Sequence, residues 1–232
     1  MDDYGVIRRG ANKNIEAMRD KVLSDILSRL PTYNEKINDI VVARLRRYSD
    51  WHYPTMFIHP GNSELIYHVV SSDPVYILDE HYQLLEPVLK KFPPEYQRRL
   101  RKYVINETPD HPILDKIPDG QFFMCVAHNF FNYKPFEVLK RYLAEIYTKL
   151  RPGGVLVMTF NDCDRAPAVE LAERTFACYT PGYLVRGMAE SIGYQQGFEL
   201  NDGGPWTWLE LHKPGTLTTI KGGQPMAKRL PK

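Results

Sequence analysis

The chain has 232 residues, 43% of them apolar and 25% charged, which suits one α/β domain with a modest extension and excludes a mainly disordered chain. Thirty basic side chains against 28 acidic ones leave a net charge of +2, so no bulk electrostatic argument favours nucleic acid. No apolar stretch approaches the roughly 18 residues a membrane span needs, and Cys125, Cys163 and Cys178, an odd number without a CxxC pair, point to free thiols in a reducing, cytoplasmic setting and against structural zinc.

Met1-Asp2-Asp3-Tyr4 lacks the basic-then-apolar layout of a signal peptide. Ile15, Met18, Val22, Leu23, Ile26, Leu27 and Leu30 recur at three- and four-residue steps, the stripe of an amphipathic helix that Pro31 stops. Asn34 can cap a second helix with the stripe Ile37, Ile40, Val41, Leu45 and Tyr48. Arg44, Arg46 and Arg47 read first as a solvated face of that helix, with a phosphate- or acid-binding surface as the alternative.

From Pro54 the pattern changes to short apolar runs separated by helical stretches. Thr55–Ile58 reads as a strand, followed by the turn His59-Pro60-Gly61-Asn62 and a helix starting at Ser63. Val75–Leu78 is a second strand ending at Asp79-Glu80. Helix is expected over 82–90 and, after Pro93-Pro94, to about Leu100, with a third strand over Lys102–Ile105. A proline-bearing loop leads to a fourth strand, Gln121–Ala127, and Phe136–Leu150 is a long helix. Arg151-Pro152-Gly153-Gly154 closes it and Val155–Phe160 is the fifth strand.

Thr180-Pro181 reads as an N-cap with proline at the first helical position, and the helix stops at Gly193. Tyr194–Leu200 and Trp206–His212 flank a Gly/Pro/Asn turn and read as a hairpin. The expected organisation is a helical extension over 1–53, a domain over 54–213 and a polar, basic tail over 214–232. Strands alternating with helices predict a doubly wound, mostly parallel sheet covered on both faces.

This order, together with Leu150-Arg151-Pro152-Gly153-Gly154 running into Val155-Leu156-Val157-Met158, resembles the class I S-adenosylmethionine-dependent methyltransferases. Ile117-Pro118-Asp119-Gly120-Gln121-Phe122-Phe123 is similar to that family's loop before its fourth strand, and the closing hairpin to its sixth and seventh strands. The resemblance covers about Pro54–His212 and implies a Rossmann-like sheet of seven strands with S-adenosylmethionine as cofactor. A fainter resemblance is to methyltransferase-like proteins carried by tailed phages. The departure lies at the cofactor. The family's acid and x-G-x-G-x-G become His59-Pro60-Gly61-Asn62-Ser63-Glu64-Leu65, with His59 for the acid, Ser63 for the second glycine and Leu65 for the third. Either a divergent site still holds the cofactor, or the fold is retained without catalysis as an interaction or structural protein.

By that resemblance His59, Gly61 and Ser63 line the cofactor loop, and Asp79, with Glu80 as the register alternative, accepts the ribose hydroxyls. Asn106-Glu107 fall where the adenine is contacted, the Asn106 side chain able to pair with the ring edge, and Ala127 ends the fourth strand beside the cofactor. His128 and Asn129 sit at the switch point of the sheet, where either can orient a nucleophile and His128 can take its proton. Asn129-Phe130-Phe131-Asn132-Tyr133 lacks the prolines of the amino-methylating signature, so no acceptor is assigned. Asn161, Asp162 and Asp164 suit either substrate contact or helix capping. No P-loop, GxSxG elbow, GxGxxG or HExxH is present, which removes support for NTPase, hydrolase, nicotinamide-dependent and zinc-protease readings. The N-terminal helices are expected to bury a stripe either as a lid packed in cis or in a homodimer.

Overall fold

The computed structural model describes residues 35–61 and 63–216. The first expected helix, Asn34 and most of the basic tail lie outside them. Seven strands form one sheet: β1 (Thr55–Ile58), β2 (Val75–Asp79), β3 (Leu100–Val104), β4 (Phe122–Ala127), β5 (Leu150–Asn161), β6 (Gln195–Leu200) and β7 (Trp206–His212). Their order is β3-β2-β1-β4-β5-β7-β6. β1 to β5 run parallel, β7 lies antiparallel to β5, and β6 antiparallel to β7. This is the expected Rossmann-like sheet with its C-terminal hairpin.

Burial explains the sequence pattern. Every residue of β1, β2 and β4 is buried, which is why these strands read as unbroken apolar runs rather than alternating ones. β3 is an edge strand and carries Arg101 and Lys102 at exposed positions, a charge pattern that discourages edge-to-edge pairing. On one face Met56, Ile58, Tyr76, Leu78, Leu156 and Met158 pack with Leu139, Tyr142, Leu143 and Ile146 of a long helix, α4 (Phe136–Lys149). Val185, Met188 and Ala189 of α6 (Gly182–Ile192) join the same core.

The remaining helices are α1 (Glu35–Tyr48), α2 (Tyr82–Lys90), α3 (Pro94–Gln97) and α5 (Ala166–Arg174). From Val41 onward α1 belongs to the same compact unit as the sheet. Of its expected stripe, Val41, Leu45 and Tyr48 are buried, whereas Ile40 is 39% exposed. Tyr48 meets Phe123 edge-on, with ring centroids 6.2 Å apart.

Several expectations shift, among them the fifth strand, which begins at Leu150 rather than Val155, so that Arg151-Pro152-Gly153-Gly154 lie inside it. The helix expected from Ser63 is only a 3-10 turn, Glu64–His68. The β-branched pair Val69-Val70 and the turn-forming Ser71-Ser72-Asp73-Pro74 give it no room to propagate. The third strand begins two residues earlier, at Leu100 rather than Lys102, in register with Val75. Thr180 does not cap α6. It is drawn into a parallel bridge with Asp162, and its Oγ1 is buried without a hydrogen-bond partner. The Tyr183 amide donates instead to Asp164 Oδ2 at 2.7 Å.

Candidate active site

In an open parallel sheet, ligands collect outside the carboxyl ends of the strands, where neighbouring connections diverge to opposite faces. Here that point lies between β1 and β4. β1 ends at Ile58, and His59 follows in the left-handed region at φ +52°. Its amide still bonds to Leu78 O at 2.7 Å, so the turn is anchored to the end of β2. Gly61 is also left-handed, at φ +48°, and a Cβ there would meet nothing within 4 Å. The loop therefore leaves open space at its glycine. Ser63 closes it, its hydroxyl accepting from the Leu65 amide at 3.2 Å.

Asp79 ends β2 and is only 1% exposed. Its Oδ2 lies 2.8 Å from His59 Nδ1, and its Oδ1 accepts from the His81 amide at 3.0 Å. Both oxygens of this carboxylate are thus already engaged. Glu80, one residue beyond the strand, is more open and is ion-paired with Lys134 from the loop between β4 and α4. The same ammonium lies 2.5 Å from Glu107 Oε1 and 4.8 Å from the centroid of the Phe130 ring. Tyr142 donates to Glu107 Oε1 at 2.6 Å. Burial raises the Glu107 pKa, against the pull of Lys134 and Tyr142. Asn106 is exposed, and its Oδ1 accepts from the Thr108 amide at 3.2 Å in a local turn.

Ala127 closes β4, fully buried and in register with Met158. His128 follows, its ring centroid 6.3 Å from that of Trp208, and burial pushes its pKa down to about 4. The imidazole is therefore neutral at ordinary pH and a weak base. Asn129 has φ +53°, and its amide donates to Thr159 Oγ1 at 2.7 Å. Its Oδ1 accepts from Asn132 Nδ2 at 3.3 Å.

The structure thus brings His59 and Asp79 into direct contact and sets Glu80 beside Glu107 and Lys134. His128 and Asn129 lie at the end of the neighbouring β4. The acids after β5 serve the scaffold. Asp162 takes Arg186 at 3.0 Å and the Thr207 hydroxyl at 2.8 Å, and Asp164 caps α6. Lys134 was not singled out from sequence. The only signal was one cation closing the aromatic run Phe130-Phe131-Asn132-Tyr133. Among the described residues no group of three or more His, Cys, Asp or Glu side chains is placed to hold a metal ion. Among the same residues no helix is long and apolar enough to cross a membrane.

No protein-family model matches the chain, and no curated protein matches its sequence. Solved structures do resemble it. An O-methyltransferase family protein from Burkholderia thailandensis is 14% identical with a TM-score of 0.62, over 78% of this chain and 56% of that one. The 1,6-didemethyltoxoflavin-N1-methyltransferase of the same organism, solved with S-adenosylhomocysteine, is 11% identical with a TM-score of 0.57, over 88% and 90%. The geranyl diphosphate C-methyltransferase of Streptomyces coelicolor A3(2), also solved with S-adenosylhomocysteine, is 8% identical with a TM-score of 0.60, over 77% and 81%. The chain therefore spans little more than half of the first of these proteins and most of the other two. The shared architecture is the class I S-adenosylmethionine-dependent methyltransferase fold.

Proposed function

We propose that the protein binds S-adenosylmethionine across the carboxyl ends of β1, β2 and β4 and transfers its methyl group to an acceptor held beside His128 and Asn129. The observation that carries this reading is the fold, a sheet of order β3-β2-β1-β4-β5-β7-β6 that resembles, at TM-scores of 0.57 and 0.60, methyltransferases solved with S-adenosylhomocysteine. When bound, the cofactor supplies an electrophilic methyl group on a sulfonium.

The residues present suit a nucleoside in a modified register. Open space at Gly61 allows backbone to approach a ligand closely. Glu80 carries the carboxylate for the ribose hydroxyls, because Asp79 is buried and holds His59 in place. Asn106, Ser63 and Ala127 complete the proposed cofactor side. Toward the acceptor, the left-handed backbone of Asn129 is fixed by Thr159 and its amide oxygen by Asn132, so a nucleophile meets a rigid partner. Neutral His128 can accept a hydrogen bond from that nucleophile. Its low pKa makes alignment, rather than strong proton abstraction, the main contribution.

Three free cysteines support a reducing, cytoplasmic setting. The tailed-phage resemblance has no counterpart among the structures named above and forms no part of this reading. The test is calorimetric titration of the full chain with S-adenosylmethionine and S-adenosylhomocysteine. Saturable binding of both at micromolar concentration is expected. No heat and no thermal shift at millimolar ligand would replace this reading with a non-catalytic role on the same fold.

A further inference from the structure

We propose that Lys134 is a latch on the nucleoside side of this crevice, occupying the Glu80 carboxylate that an incoming ribose must engage. The inference rests on the cofactor reading above. One ammonium joins three segments that are separate in sequence: Glu80 after β2, Glu107 after β3, and the loop after β4 that carries Lys134 itself. Its side chain is 13% exposed, and those of Glu80 and Glu107 are 27% and 23% exposed. The cluster therefore sits at the rim of the crevice rather than in the core.

A lysine suits a latch better than a clamp. Its charge is a compact point on a flexible four-carbon stem, so it can swing aside without a backbone change. A ribose diol offers two hydroxyl donors, and donors are what a carboxylate surrenders when the ammonium leaves. The hydroxyls are neutral donors, so the exchange gives up an ion pair for hydrogen bonds, and the cost of opening the latch is subtracted from nucleoside affinity.

The latch also joins the two halves of the site. The loop bearing Lys134 follows directly from His128 and Asn129. Between Asn129 and Lys134 the loop is tied to the segment joining α5 and α6, through Asn132 O accepting from the Cys178 amide at 2.8 Å. Nucleoside binding at Glu80 frees the loop at Lys134 and leaves it fixed at Asn132.

The experiment compares the wild-type chain with Lys134→Met, which keeps the stem and removes the charge. Glu107→Gln loosens the latch from the opposite end, and the exposed Lys140→Met serves as control. S-adenosylhomocysteine affinity is measured at low and high salt, and amide hydrogen exchange of residues 128–134 is followed without ligand. Both latch variants are expected to bind about three- to tenfold more tightly than wild type, since less of the protein is held in the closed state. Their loop is expected to exchange faster. Wild-type affinity is expected to rise with salt while that of Lys134→Met does not. Wild-type binding with unchanged or weaker affinity in both variants would overturn the latch and leave the methyl-transfer reading standing. Binding by none of the proteins would overturn both. Should Lys134→Met fail to fold, Glu107→Gln carries the same comparison.

Discussion

Arg44 of α1 and Glu210 of β7, 166 residues apart, meet through a two-point contact between guanidinium and carboxylate, with Nε donating to Oε1 at 2.7 Å. The Tyr48 hydroxyl donates to the same carboxylate at 2.7 Å. Glu210 is wholly buried, and it faces away from Leu209 and Leu211, its neighbours in the strand, which pack on the opposite side of the sheet. A charge in that position is tolerable only because α1 lies against it.

Arg44→Met should cost about 3 kcal/mol of stability, because it strands a buried carboxylate without its cation. Urea denaturation at neutral pH measures it. The double variant Arg44→Met, Glu210→Met should recover most of the loss, since both buried charges then disappear together. A loss below about 1 kcal/mol in the single variant would mean that the pair is solvated and of surface strength.

The same carboxylate sets an acid limit. Burial raises the pKa of Glu210, but hydrogen bonds from Arg44, His212 and Tyr48 outweigh it and hold the group at about 2, against 4.5 unperturbed. Between these values the unfolded chain binds the extra proton and the folded one does not. Stability contributed by Glu210 is therefore complete above pH 4.5 and lost as the pH falls toward 2, by about 3 kcal/mol in all. Glu210→Gln should flatten that part of the stability–pH curve. An unchanged slope would remove Glu210 as its source.

His128 should remain neutral throughout the physiological range. Burial lowers its pKa from 6.5 to about 4, so its ring resonances are expected not to titrate between pH 5.5 and 8, bounds chosen on either side of neutrality. Because the folded form resists protonation, the group withdraws stability as the pH falls from 6.5 toward 4. Nuclear magnetic resonance of the histidine ring decides it: a midpoint near 6.5 would place His128 in water and restore it as an ordinary base.

Gly61→Val should leave the protein folded and abolish S-adenosylhomocysteine binding. The left-handed φ of +48° strains a β-branched residue by about 1–2 kcal/mol, but the new Cβ meets no protein atom within 4 Å. Its branches would fill the space assigned to ligand. Normal titration heats in this variant would move the ligand away from the loop.

Much of the sheet was legible because parallel strands buried on both faces leave unbroken apolar runs, as Val75–Leu78 and Phe122–Ala127 do. Leu-Arg-Pro-Gly-Gly announced the end of the helix and a following strand, but these residues lie inside β5 rather than before it, with Gly153 at positive φ. The candidate site was legible only in part. Asp79 and His59 stood in the expected places, but nothing local announces that they bond to one another. Lys134 escaped, and Arg44 read first as part of a solvated face, for the same reason: each is defined by partners distant in sequence, and a cation on a helix or loop looks solvated until the fold brings carboxylates to it. Thr180 misled because its capping pattern competes with a strand-like bridge to Asp162, which the local sequence does not display.

The place of β7 in the sheet governs the order in which the protein can be assembled. β7 is the last strand among the described residues, yet it lies between β5 and β6. Until Trp206–His212 has left the ribosome, β5 has an open, apolar edge and β6 has no neighbour to pair with. Synthesis therefore passes through a stage in which almost the whole domain exists but its sheet is unclosed, a template for mispairing with other nascent chains. A stop codon just before Trp206 would remove a small fraction of the protein and leave that vulnerable stage permanent.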